Sequence, residues 1–130
     1  MITAKLSNYR QSPRKVRAVA DLIRGKKVSD ALIQLTYTAK RATDPLANLL
    51  KSAIANAKNN FGIEIDNLYV KEIRVDGGVV MMRSMPRARG SASPIHKRTS
   101  HVSVVLYEKA PKQSKMKGLR SKEKTLTANS

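Results

Sequence analysis

The chain has 130 residues, 26 of them Lys or Arg against 9 Asp or Glu, for a formal net charge of +17. That length suits one domain, and 41% hydrophobic residues with only 4% aromatics supply one modest, aliphatic core. The absence of Cys excludes disulfides and thiolate metal sites and favours a reducing compartment, and no apolar run approaches the roughly 20 residues of a membrane span.

The opening stretch Met1 to Lys5 has no signal-peptide apolar region, and Ile2 to Leu6 alternates apolar and polar as a short half-buried strand does. A helix follows, with Ser12 as N-cap, Pro13 at its first position and Gly25 as its stop. Inside it, Val16, Val19, Ala20 and Ile23 recur at the spacing of one buried face. Val28, Ala31, Leu32 and Leu35 predict a second short helix capped by Ser29. The third helix carries the unbroken stripe Leu46, Leu49, Leu50, Ala53, Ile54 and Ala57 and ends at Gly62. Asp44 and Pro45 serve as its cap and first position, or else it starts earlier with Pro45 in its first turn.

Leu68 to Asp76 reads as a strand in which Tyr69, Ile73 and Val75 share a face, with Lys71 interrupting the alternation where a bulge would fit. Val102, Val104 and Leu106 give a cleaner strand, with His101, Ser103 and Tyr107 opposite. The expected fold is α+β: three helices packed on one face of a three-stranded antiparallel sheet. One domain is expected over residues 1–108, followed by a basic tail over 109–130 that is too poor in large apolar residues to order alone.

Between the last two strands lie 24 residues, Gly77 to Ser100, far beyond an ordinary hairpin loop and too polar for a core. They predict a two-stranded arm over about 78–100, with a turn at Arg89-Gly90-Ser91 and a reach of roughly 35 Å at ~3.3 Å per residue. Charge is concentrated here and beyond: residues 80–107 hold five bases and no acid, and 108–130 hold seven bases and two acids. Such a ribbon is marginal in water and calls for an anionic partner packed around it. Folded RNA fits best, since Arg can stack on splayed bases and pair with phosphates. Small residues at Ala88, Gly90, Ser91 and Ala92 keep the tip thin enough to insert.

Several of these segments together resemble the universal large-subunit ribosomal protein family called L-twenty-two. They are Ser12-Pro13-Arg14-Lys15-Val16-Arg17 through Ala20-Asp21-Leu22-Ile23-Arg24-Gly25-Lys26, then Ser52-Ala53-Ile54-Ala55-Asn56-Ala57. Met85-Pro86-Arg87-Ala88-Arg89-Gly90 and Lys97-Arg98-Thr99-Ser100-His101 continue the match, which runs in order over about residues 2–107. The resemblance implies a domain near the exit of the nascent-peptide tunnel, with the hairpin inserted into large-subunit RNA and lining the tunnel wall. It implies a role in subunit assembly and, as partners, ribosomal RNA, neighbouring ribosomal proteins and the nascent polypeptide, in a cytoplasmic or organellar ribosome. Met82, Ser91 and Pro94 depart from the family pattern, which is often basic there.

On the domain, Arg10, Arg14, Lys15, Arg17 and the Ser12 hydroxyl are the expected RNA contacts, together with Arg24, Lys26 and Lys27. On the arm they are Arg83, Arg87, Arg89, Lys97 and Arg98, with Thr99 and His101 on the returning leg. The implied tunnel-lining tip comprises Met82, Arg83 and Met85 with the turn residues Pro86, Arg87, Ala88, Arg89, Gly90 and Ser91. No metal or cofactor is expected, because His96 and His101 have no carboxylates near them in sequence. Glu64, Asp66, Glu72 and Asp76 are expected to be solvated or paired with Lys71 and Arg74 rather than to form a nuclease centre. No nucleophile elbow or phosphate-binding loop is present, so catalysis is not expected. A helix-turn-helix reading of the first two helices fails on Ser29 to Leu35, which holds Asp30 and no base to read DNA.

Overall fold

A computed structural model describes residues 1–109; the basic tail beyond Lys109 lies outside the described residues. The elements run β1 (Ile2–Tyr9), α1 (Pro13–Ile23), α2 (Val28–Tyr37), α3 (Thr43–Phe61), β2 (Leu68–Pro86) and β3 (Ala92–Glu108). Single 3-10 turns precede β2 (Ile65–Asn67) and close the arm (Ala88–Gly90). The sheet is antiparallel in the order β1-β3-β2, so the last strand is central. The fold is the expected α+β arrangement, with α1, α2 and α3 on one face of the sheet and β2 and β3 continuing outward as a long hairpin.

The helices form where apolar periodicity places them. Val16, Val19, Ala20 and Ile23 of α1 are all buried, as are Leu46, Leu49, Leu50, Ala53 and Ala57 of α3. They meet Ile2 and Ala4 of β1, Leu68, Val70, Ile73 and Val75 of β2, and Val102, Val104 and Leu106 of β3. The core is aliphatic throughout, consistent with a chain this poor in aromatics. Gly62 ends α3 in the left-handed conformation at φ 64°, which turns its N–H onto Lys58 O and that of Ile63 onto Ala57 O.

One expected helix start moves, and a second is decided between its two alternatives. α2 is capped by the backbone of Lys27, whose carbonyl accepts the Ala31 N–H at 2.9 Å, and Ser29 lies inside the helix. The cause is upstream. Gly25 N–H donates to Val70 O and Val70 N–H to Lys26 O, pinning the α1–α2 loop to the outer edge of β2. Fully buried Val28 is then the first residue free to turn into the helix. α3 begins at Thr43, with Pro45 in its first turn.

The face assignment of β2 also changes. The pairings Val70 with Leu106 and Glu72 with Val105 leave Lys71 extra, so the suspected bulge is present. It moves the core positions from Leu68 and Val70 before it to Ile73 and Val75 after it. Tyr69 therefore does not share a face with Ile73 and Val75. It stands on the opposite side beside Tyr107, ring centroids 5.8 Å apart, with the Lys109 ammonium 5.3 Å over its ring.

Two further irregularities meet at the root of the arm. β1 gains a residue between Leu6 and Tyr9, with Asn8 left-handed at φ 55°, and β2 gains one between Gly77 and Val80. Both lie against the same stretch of β3. The Asn8 N–H donates to Nδ1 of His101 at 3.0 Å, and the Thr99 hydroxyl donates to Val79 O at 2.7 Å. A Cβ on Gly78 would stand 2.5 Å from Thr99 Oγ1 and 2.9 Å from His101 Nε2, whereas one on Gly77 would meet nothing within 4 Å. Gly78→Ala is accordingly expected to lower stability by roughly 1–3 kcal/mol through overpacking, with Gly77→Ala near neutral. Urea denaturation of the two variants checks this, and equal midpoints would refute the close-approach account. Leu50 of α3 is fully buried. Leu50→Ala should cost about 2–5 kcal/mol in the same assay.

Candidate nucleic-acid interface

Two groups of cations stand out on the described domain, and the sequence does not separate them. One group is already engaged. Arg17 reaches from α1 to donate twice to Val75 O, at 3.1 and 2.9 Å, and Arg24 donates to Ile73 O at 3.3 Å. Those carbonyls lie on an edge strand, where backbone acceptors facing outward lack a ladder partner. Arg24 also pairs with Asp21 at 2.9 Å. Lys26 bonds to the Gln34 side chain, and Lys27 pairs with Asp66 at 3.0 Å. The hydrogen bond that Lys27 donates to Asp66 raises the Lys27 pKa. Arg74, similarly, pairs with Glu72 as expected, and that hydrogen bond raises its pKa.

The second group stands where the arm leaves the domain. Arg10 at the end of β1, Lys15 in the first turn of α1, Arg41 before α3, and Lys97 and Arg98 of β3 line one cleft of about 400 Å³. Gln11, Ser12 and Met81 complete its wall. Among the described residues, none of these five cations pairs with a carboxylate. Among the described residues, the Arg10 guanidinium meets only the weak acceptor Met81 Sδ, at 3.9 Å. Ser12 takes the N-cap position without a side-chain cap bond, and the first turn of α1 holds no acid, so the positive end of the helix adds to the same field. The arrangement is held by local chemistry: the Tyr9 hydroxyl donates to Arg41 O at 3.2 Å, drawing the α2–α3 loop against β1. Arg14 is exposed on α1 but is not part of the cleft wall.

The arm continues this surface outward. Its legs pair from Val80 with Arg98 to Pro86 with Ala92. Directly opposed residues share a face, so Arg98, Met82 and His96 lie on one side and Lys97, Arg83 and Ile95 on the other. Bases therefore occupy both faces. Arg87 and Arg89 add charge at the tip, which is closed by Arg87 N–H to Ser91 O at 2.8 Å and by the Ser91 hydroxyl to Ala88 O at 2.9 Å. Arg89 adopts φ 56°, an uncommon conformation for a residue with a Cβ, beside Gly90 at φ 70°. Met82 and Met85 are about half exposed, and Pro86 to Ser91 are all exposed. Two returning-leg candidates face inward: Thr99 is 5% exposed, and half-buried His101 turns Nδ1 toward Asn8.

Arg41 and Gln11 escape sequence reasoning. Neither belongs to a periodic pattern or a motif, and Arg41 is brought to Arg10 only by tertiary folding. The α1–α2 loop, tied to β2 through the Lys27–Tyr69 bridge, does not project a reading helix. Among the described residues no three His, Cys, Asp or Glu side chains group to hold a metal ion. Among them, too, no helix is long and apolar enough to cross a membrane.

Comparison with known proteins agrees with this geometry. Residues 4–107 match the family described as Ribosomal protein L22p/L17e. Two curated relatives, each named large ribosomal subunit protein uL22, come from Desulfitobacterium hafniense strains DSM 10664 / DCB-2 and Y51. Each is 57% identical over 100 residues, covering 77% of this chain and 88% of the relative. With the domain, the arm and its root all inside the matched span, the chain belongs to the L22p/L17e family of large-subunit ribosomal proteins.

Proposed function

We propose that the chain is a structural, non-catalytic constituent of the large ribosomal subunit that binds large-subunit ribosomal RNA and aids its assembly. In this reading residues 1–108 act as one RNA-binding domain, and the arm inserts into RNA and lines the nascent-polypeptide tunnel in a cytoplasmic ribosome. The observation that carries it is the distribution of charge on the arm: bases on both faces and at the tip, no acid from 80 to 107, and no core. A ribbon that merely lay on RNA would need cations on one face. Cations all round suit a ribbon with polyanion on every side, where each neutralised phosphate adds affinity. The engaged cations on the far side of α1 join this interface through their exposed faces, while the cleft at the arm root faces the backbone directly. Met82, Met85 and the thin turn Pro86 to Ser91 form the part that meets the tunnel lumen and the nascent chain, and neighbouring ribosomal proteins complete the surroundings.

The test is binding of the full chain to deproteinised large-subunit RNA and to duplex DNA at matched salt. The RNA should be preferred, and with ~8 phosphates neutralised the log of the affinity should fall by about 6 per decade of salt. Equal binding to the duplex, or a flat salt response, would defeat the proposal. The arm should also gain amide-exchange protection over residues 82–98 when RNA is added, since an isolated two-stranded ribbon is marginal in water. Strong protection in the free protein would count against it. For the tip, a photo-crosslinking residue in place of Met85 in assembled subunits should capture a stalled nascent chain. Capture of solvent-side proteins instead would refute tunnel lining.

A further inference from the structure

We infer that the cleft between Phe61 and Tyr107, at the end of the domain opposite the arm, is a slot for one unpaired RNA base, with Tyr107 as the ring on which the base stacks. The inference rests on the RNA-binding reading and adds a second kind of contact to it, apolar where the arm is charged.

Three observations carry it. The first is where the aromatics are. The chain holds four Tyr and one Phe, and none of the five is among the buried core residues. Three of them gather at this end: Phe61 closes α3, Tyr107 lies near the end of β3, and Tyr69 stands against Tyr107 with ring centroids 5.8 Å apart. The second is the cleft itself. Phe61 and Tyr107 line one concavity of about 300 Å³, and they are 55% and 37% exposed, so the described residues leave both rings partly uncovered. The Lys109 ammonium stands over the Tyr69 ring, which leaves Tyr107 as the open face. Every base has a π face, so a base splayed from a folded RNA stacks on such a ring whatever its identity. The third is the charge on the rim. The bulge in β2 sets Lys71 at the cleft, and among the described residues no carboxylate pairs with it. From Lys109 the chain runs on into residues 110–130, which hold six bases and one acid. Such cations suit the phosphates on either side of an inserted base, and an apolar protein segment has no use for them. Glu108, also on the rim, can accept from an amino group on the edge of the base.

The test uses the full chain and deproteinised large-subunit RNA as the probe. Tyr107→Leu should weaken binding about 10-fold, the loss of one stacked base. Its salt slope should stay that of the wild type, because no phosphate contact is removed. Tyr107→Phe keeps the ring and should bind within ~3-fold of the wild type, as should Tyr37→Leu, which removes a tyrosine 85% exposed on α2. Thermal melts confirm that the three variants fold. Ultraviolet irradiation of assembled large subunits should then join Tyr107 to a nucleotide. Equal affinities for Tyr107→Leu and Tyr37→Leu, equal losses for Tyr107→Leu and Tyr107→Phe, or a shallower salt slope for Tyr107→Leu would overturn the slot while leaving RNA binding intact. A crosslink from Tyr107 to a protein would overturn it in favour of a protein occupant. Failure of the wild type to prefer the RNA over duplex DNA would instead remove the reading on which the slot rests.

Discussion

Self-repulsion along a ribbon without a core is the constraint around which the molecule is organised. β2 and β3 are single continuous strands, yet they live in two environments. Their inner halves supply Leu68, Val70, Ile73, Val75, Val102, Val104 and Leu106 to a sealed aliphatic core. Their outer halves carry Arg83, Lys97 and Arg98 into solvent with no apolar layer to hold them. Burial of the inner half fixes the register, because a one-residue slip would turn every core side chain outward. The outer half inherits that register without contributing to it. The domain thus positions a charged arm that could not organise itself.

That inheritance works only if the junction is stiff, and the junction is where the regular ladder breaks. The extra residues in β1 and β2 face one short piece of β3, and His101 and Thr99 fasten them from either side. Bulges increase twist and bend a strand, so a pair at one level re-aims the whole arm relative to the sheet. Gly78 is the residue that permits it, since Thr99 and His101 occupy the space a side chain would take. His101 and Thr99 thus work in two directions: they belong to the basic returning leg by sequence, and they lock its root by contact.

The legible parts of this protein were those in which one residue's environment repeats along its own element. Val16, Val19, Ala20 and Ile23 announce α1 because helical spacing alone brings them to one face. The long gap between the last strands announces the arm by its length and charge. Tyr69 was misread because the bulge at Lys71 is defined by the partner strand, and alternation within β2 says nothing of where Leu106 and Val105 fall. Ser29 was misread as a cap because the loop before it is pinned from β2, through Val70, and not by its own sequence. Arg41 and Gln11 were invisible for the same reason: their meaning lies in what the fold sets beside them.

The division of the cations follows from this geometry. Arg17 and Arg24 lie over the outer edge of β2, where unpaired carbonyls await donors, and they are drawn into the fold. Arg10, Arg98 and their neighbours lie away from that edge, at the root of the arm where β1 ends, and among the described residues no carboxylate pairs with them. The engaged cations close a sheet edge that would otherwise invite another strand. The free ones gather at the hinge between a rigid body and its arm. An anion bound at the hinge touches β1, α1, the α2–α3 loop and β3 at once. It would therefore fix the angle of the arm as well as add affinity, so that backbone binding at the root sets the direction in which the tip must travel.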